Sequence, residues 1–320
     1  MLRYSFMKKI LFILLYSFLG MLGFSQSNIR LNDYWENTYY INPSSFYSLY
    51  QYTASTSART QWAGFDGAPG TGFLTATVRP NPRGRMQIGQ FGLKIYYDEI
   101  GYTTLKNISV SYAYSVKMKK DLLLNMGMAG NFQSLDYDMT KSNLETIGDP
   151  AIYNTKNNEW DFNPDVGMEL IGRSFMIGAS GQNIFSLLIK ENKAQTNTNF
   201  LYAIFRSTTG KMVNFQYGIC GIQNVNLSQL ELKVSTIFNR NNRPDLFKVG
   251  VAYRTKKELG FSCGIDLSQL SNGLGNSLWL SCRYDYNFSN IRRSSFGTPE
   301  VTLVWKYGVL LDCKCQELFK

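Results

Sequence analysis

Histidine is absent from this chain of 320 residues. Without an imidazole there is no Ser-His-Asp or Cys-His nucleophile system, and the ordinary zinc sites lose their commonest nitrogen ligand. Cysteine is scarce: Cys220, Cys263, Cys282, Cys313 and Cys315 make no CxxC pair. The closing Cys313-Lys314-Cys315 triplet is too isolated for a metal knuckle, and a tail disulfide and free thiols both stay open as readings. Proline is sparse at eight residues and no tract is of low complexity, which argues against long disorder. Charged residues make up only 18% of the chain, and Lys and Arg occur in no block longer than two. The formal charge of +10 therefore has no basic stripe to go with it, and nucleic acid is not expected as a partner. No catalytic residue, metal-ligand set or cofactor motif emerges. The expectation is a non-enzymatic protein without cofactor, and a hydrolase is improbable without His.

Long apolar runs are also missing, with one exception. In Met1 to Ser25, Arg3, Lys8 and Lys9 precede an apolar stretch from Ile10 to Phe24, and Gly23 and Ser25 stand at −3 and −1 of a cut before Gln26. This reads as a secretory signal peptide over residues 1–25, whose loss takes the formal charge from +10 to +7. Gln26 in place of Cys speaks against a lipoprotein anchor. No later segment approaches the ~20 apolar residues that a membrane helix needs. The mature chain is then either soluble or crosses a membrane with strands.

What is present in quantity is alternation and aromatic rings. In Ile108–Met118 the even positions are Ile, Val, Tyr, Tyr, Val and Met, and the odd ones are Ser, Ser, Ala, Ser and Lys. A strand places successive side chains on opposite faces, whereas a helix repeats at three and four. The same pattern recurs through Phe91–Tyr97, Val213–Ile219, Phe261–Leu267, Leu278–Tyr286 and Val301–Tyr307. Across these runs the apolar face carries no charge and is rich in Tyr, Phe and Trp. The other face is small or charged and holds Lys94, Lys117, Asp266, Arg283, Asp285 and Lys306. A charge at mid-bilayer costs roughly 2–4 kcal/mol, so an uncharged outward face is what a membrane barrel requires. Many runs reach the ~9–11 residues of a tilted membrane strand.

The expected fold is therefore an all-β, transmembrane antiparallel β-barrel of the outer membrane with about 14 strands. Starts are expected near Leu49, Gly72, Ile88, Tyr102, Leu122, Phe162, Phe175, Asn199, Met212, Leu230, Phe247, Leu259, Ser277 and Glu300. The chain divides into a signal peptide, a periplasmic or lumenal segment at 26–47, the barrel at 48–310 and a periplasmic tail at 311–320. An even strand number puts both termini in the periplasm. Connections at Asp98–Thr104, Asp138–Asp161 and Ser186–Thr198 then face outward. Lys94, Arg283, Asp285 and Glu300 are the expected lumenal charges.

The stretch Arg59-Thr-Gln-Trp-Ala-Gly-Phe-Asp-Gly-Ala-Pro69 falls between the first two strands. Its glycines permit tight turns or positive φ, and Pro69 stiffens the return. Two roles stand for Trp62 and Phe65: packing in the barrel mouth as a plug, or offering aromatic anchors to a bound polypeptide. Arg59 and Gln61 lie on the lumenal face, and Arg59 is placed to pair with Asp285 or Glu300 across the closure. Gly64, Gly67 and Pro69 complete this candidate partner-binding or plug element.

Together with Asn42-Pro43, Gly148-Asp149-Pro150, Tyr253-Arg254-Thr255 and Tyr284-Asp285-Tyr286, this stretch resembles the PorP/SprF family of Bacteroidetes outer-membrane proteins. The motifs occur in the same order over most of the mature chain. Pro299-Glu300 stands where the family often has His-Glu, and the Ser268–Asn276 insertion and the last residues also depart from the pattern. The resemblance implies a multi-pass outer-membrane component of the type IX secretion system, linked in some relatives to gliding motility. It implies as partners secreted adhesin-like cargo, bound through its C-terminal domain, and the machine's lipoproteins or periplasmic subunits, besides outer-membrane lipid. A general or substrate-specific porin is the competing reading of the same barrel.

Overall fold

The computed structural model describes residues 31–45, 50–64, 67–80, 89–119, 122–137, 160–188, 195–207, 212–225, 227–240, 243–255, 257–269, 277–288 and 295–309. The alternating runs become fourteen strands: β1 (Tyr50–Thr60), β2 (Gly70–Val78), β3 (Gln90–Ile100), β4 (Thr103–Lys119), β5 (Leu122–Tyr137), β6 (Trp160–Ile171) and β7 (Phe175–Gln182), followed by β8 (Thr198–Arg206), β9 (Val213–Asn224), β10 (Leu227–Arg240), β11 (Arg243–Arg254), β12 (Glu258–Asp266), β13 (Ser277–Asn287) and β14 (Thr298–Val309). Each strand is antiparallel to its sequence neighbours. β1 also pairs with β14, from Tyr50 opposite Val309 to Arg59 opposite Glu300, and so closes the barrel. Closure is the decisive step, because an unpaired edge in hydrocarbon would leave a row of unsatisfied amides.

The barrel turns the burial pattern of a soluble protein inside out. On β4, Ser109, Ser111, Ala113 and Ser115 are buried, while Ile108, Val110, Tyr112 and Tyr114 are exposed. On β13, Ser281, Arg283 and Asp285 are buried beside exposed Tyr284 and Tyr286. The inward face carries the polar and charged groups, and the outward face carries the apolar ones that lipid accepts. Aromatic rings gather on the outward face toward both ends. Tyr52, Trp305 and Tyr307 lie at the end where β1 starts, and Tyr97, Tyr102, Trp160 and Tyr253 at the other. Their amphipathic rings suit the headgroup level on each side.

Two starts and one connection differ from the sequence reading. β10 and β11 begin at Leu227 and Arg243, earlier than Leu230 and Phe247, because Ser228-Gln229 and Arg243-Pro244-Asp245 lack the apolar alternation that marks a strand. The connection expected over Asp98–Thr104 shrinks to Gly101-Tyr102, since Ile100 already pairs with Thr103. Gly101 has φ +59, the left-handed value that such a two-residue hairpin requires. The Asp138–Asp161 connection lies outside the described residues up to Glu159, and the described strand β6 takes Trp160 and Asp161.

Val110 is 55% exposed in the middle of β4. Val110→Arg is expected to lower barrel stability by about 2–4 kcal/mol in lipid, read as an earlier urea midpoint in liposomes. An unchanged midpoint would mean that this face does not meet lipid.

Candidate functional site: the occupied lumen

Residues 31–45 precede β1 and lie inside the barrel. All but the half-buried Glu36 are buried. Outside the ladder, this segment satisfies its own backbone by turns. Glu36 N donates to Asp33 O at 3.0 Å, Asn37 N to Tyr34 O at 3.1 Å, and a 3-10 turn at Thr38–Tyr40 ends where Asn42 N reaches Thr38 O at 3.0 Å. Asn42 then folds the chain before Pro43, because its side-chain oxygen accepts from Ser44 N at 2.9 Å and Ser44 Oγ at 2.7 Å. With half its amides paired locally, the segment turns many of its side chains to the wall.

The wall answers with charge. Arg254 on β11 donates to Glu231 at 2.5 Å, to Asp285 at 3.1 Å, to Glu258 at 3.0 Å, and to Asn32 Oδ1 and O at 3.1 and 3.3 Å. Arg283 on β13 reaches Asp285 at 2.8 Å, Glu231 at 3.1 Å and the same Asn32 carbonyl at 2.6 Å. Glu300 on β14 accepts from the backbone of Asn32 and Asp33 at 2.7 and 3.0 Å, and Trp35 Nε1 donates to Glu231 at 2.6 Å. Three strands thus hold the main chain of Asn32 and Asp33, and a fourth, β10, holds the Trp35 ring. Lower in the lumen, Lys233 pairs with Asp33 at 3.1 Å and Glu36 at 3.5 Å, and Lys248 pairs with Glu36 at 2.5 Å. Buried charges are tolerated only when so paired.

The wall is also shaped for the segment. An added Cβ at Gly167 would overlap the Asn42 side chain, one at Gly92 the Tyr39 hydroxyl, one at Gly127 the Pro43 backbone, and one at Gly218 the Trp35 ring. These glycines leave room for particular residues of the segment, and Leu31, Tyr34, Trp35, Tyr40 and Ile41 complete an apolar cluster with Phe73, Tyr96, Phe200, Tyr202 and Ile222. Asn42 Nδ2 meanwhile donates to Tyr202 Oη and Met168 O, both at 3.1 Å.

The residues singled out from sequence fall in two places. Arg283, Asp285 and Glu300 are buried in the charge lattice, and Arg59 approaches Glu300 at 4.0 Å. Asp285 pairs with Arg254 and Arg283, so of the two partners considered for Arg59 it is Glu300 that stands opposite. Lys94 is buried on β3, 3.5 Å from Asp165 and over the Tyr40 ring at 5.8 Å. The β1–β2 hairpin sits apart, at the end of β1. Gln61 N donates to Pro69 O at 2.8 Å. Ala63 exchanges backbone bonds with Phe296 and Gly297, both at 2.8 Å, and Trp62, half-buried, donates from its backbone to Thr298 Oγ1 at 3.3 Å. Gly64 has φ +91 and lies where the Phe296 ring leaves no room for a side chain. Gly67 is exposed, Pro69 is buried, and Phe65 lies outside the described residues. The hairpin is pinned to the loop before β14, and among the described residues the lumen is filled by 31–45, joined by Asn183 and Gln195 of the β7–β8 connection, which bond to Gln133 and Tyr96.

Sequence reasoning did not single out Glu231, Lys233, Lys248, Asp33 or Glu36. A usable signal existed in Glu231-Leu-Lys233, two charges at strand spacing, and in Asp33-Tyr-Trp-Glu36, acidic and aromatic without alternation. Arg254→Ala would leave Glu231 and Asp285 without their main partner, and an expected loss of about 3–5 kcal/mol in barrel stability follows. Gly218→Val is expected to leave the barrel assembled but expose residues 31–45 to protease, because the Trp35 ring loses its seat. Continued full protection of the segment in that variant would contradict this fit.

Among solved structures, similar ones include the outer membrane protein Omp33 of Acinetobacter baumannii, 9% identical with a TM-score of 0.45, covering 81% of this chain and 99% of that one. The toluene transporter TodX of Pseudomonas putida is 9% identical with a TM-score of 0.46, covering 88% and 95%. At such scores the likeness carries no argument about function. No curated protein matches the sequence. The family described as "Type IX secretion system membrane protein PorP/SprF" does match, over residues 23–305. Strands that close without an edge, a largely apolar outward face and a match over most of its length lead to one assignment: the chain is an outer-membrane barrel and belongs to the PorP/SprF family of type IX secretion system membrane proteins.

Proposed function

We propose that this barrel is a non-enzymatic, non-conducting docking component of the secretion machine. It binds a secreted cargo's C-terminal domain, the machine's periplasmic or lipoprotein subunits, or both, at its rims, and so serves adhesin export or gliding. The observation that carries this reading is the filled lumen. A barrel whose interior is occupied by fifteen of its own residues, charge-paired to the wall, is built to be held closed to solutes. Its work then lies with the surfaces at either end. On the side where β1 ends, the described residues of the Arg59–Pro69 hairpin are braced by Phe296, Gly297 and Thr298. Trp62 and Phe65 are the side chains assigned to partner contact, since large aromatics dominate binding energy at polypeptide interfaces.

Affinity purification from native outer membranes in mild detergent tests this. Recovery of a secreted protein's C-terminal domain or of machine subunits is the expected result, and recovery of the barrel alone, under repeated gentle conditions, would favour a porin. In planar bilayers the purified protein is expected to show little conductance, whereas steady channels would support the porin. Trp62→Ala combined with Phe65→Ala is expected to leave the barrel assembled and to impair secretion or partner recovery. Normal secretion and recovery in that double variant would remove the hairpin from the interface.

A further inference from the structure

The lumen has the properties of a polypeptide-binding site as well as those of a packed interior. Residues 31–45 form no ladder with any strand, and the barrel closes through β1 and β14 independently of them. The segment precedes β1, which starts at Tyr50, and pairs with none of the fourteen strands, so its withdrawal breaks no strand pairing. Its contacts are non-covalent: carboxylates on wall lysines, aromatic rings in seats cleared by glycine, main chain held by Arg254, Arg283 and Glu300, and neutral hydrogen bonds such as Asn37 to Ser55 and Ser180 to the Ile41 carbonyl.

What the wall would lack without the segment defines the ligand. The carboxylates that Lys233 and Lys248 pair with, Asp33 and Glu36, both belong to it. Lys233 and Lys248 are almost fully buried in the lumen, and a cation stripped of its counter-charge there is costly. Glu231 loses the Trp35 indole donor at the same time, and the Gly218 seat for that ring empties. A vacated lumen is therefore cationic at its centre and has a ring-sized recess about one residue away from the lysines. It fits an acidic and aromatic stretch in the pattern Asp-x-Trp-Glu better than it fits water.

We propose that the lumen is an exchangeable binding site for an acidic-aromatic polypeptide segment, which residues 31–45 occupy in the resting barrel. A segment of the same chemistry on a second polypeptide replaces it. This goes beyond the docking role proposed above and does not depend on which cargo or subunit binds the rims.

The test uses the full chain with a specific protease site inserted between Ser45 and Tyr50, cleaved only after the barrel has folded in detergent. A fluorescent peptide of residues 31–45 is then added in excess, and bound label is measured after gel filtration. Uptake approaching one peptide per barrel is expected, with at least tenfold weaker uptake of the peptide carrying D33N and E36Q. A second reading is ionic: cleaved and washed barrels in planar bilayers are expected to conduct, and the added peptide to block them. A cleaved segment that never exchanges against excess peptide would overturn the proposal and make residues 31–45 a permanent part of the core. Equal uptake of the substituted peptide would overturn the ligand chemistry. Failure of partner purification, with peptide exchange intact, would count against the docking role alone.

Discussion

The structure depends on keeping charge in the lumen paired where little water can reach it. Arg254 is the centre of that arrangement: its guanidinium meets carboxylates from β10, β12 and β13 and the main chain of Asn32 at once. A lysine would supply one ammonium point in place of a planar fork of five donors, and so hold fewer of these partners in fixed directions. Because Arg283 and Glu300 hold the same residue from two further strands, the lattice joins consecutive strands through the interior as well as through the sheet. The wall and the segment are in this sense one electrostatic unit.

Two demands on the same strands are reconciled by the two-residue period. Lipid excludes charge from the outward face, and the lumen requires polar groups on the inward one. Along β13, Arg283 and Asp285 serve the lattice while Tyr284 and Tyr286 between them face outward. The filled interior adds a constraint that an open pore would not have. Gly92, Gly127, Gly167 and Gly218 give up side chains where the segment comes closest, at the expense of strand propensity. This sacrifice is sensible only if the occupant is specific.

Function follows from where freedom is left. The strands and the lumenal segment are held by many partners, while the described part of the Arg59–Pro69 hairpin is braced by the residues leading into β14. Family membership places the protein in type IX secretion, and the occupied interior directs attention to the barrel's ends and to what the segment itself could yield its place to.

The strands were legible in the sequence because alternation between lipid and lumen is a local property, written residue by residue in runs such as Ile108–Met118. The family motifs were legible for the same reason, being short and contiguous. The starts of β10 and β11 were less so, since their opening residues carry no apolar alternation. The lumenal site was not legible as a site. Asn42, Arg254 and Asp285 stood out singly, but nothing local says that they line one interior, or that Asp33 and Glu36 answer Lys233 and Lys248 some two hundred residues away. Pairing across such distances is decided only when the barrel closes. A buried charge takes its partner from whatever closure brings within reach, and closure is a property of the whole sheet.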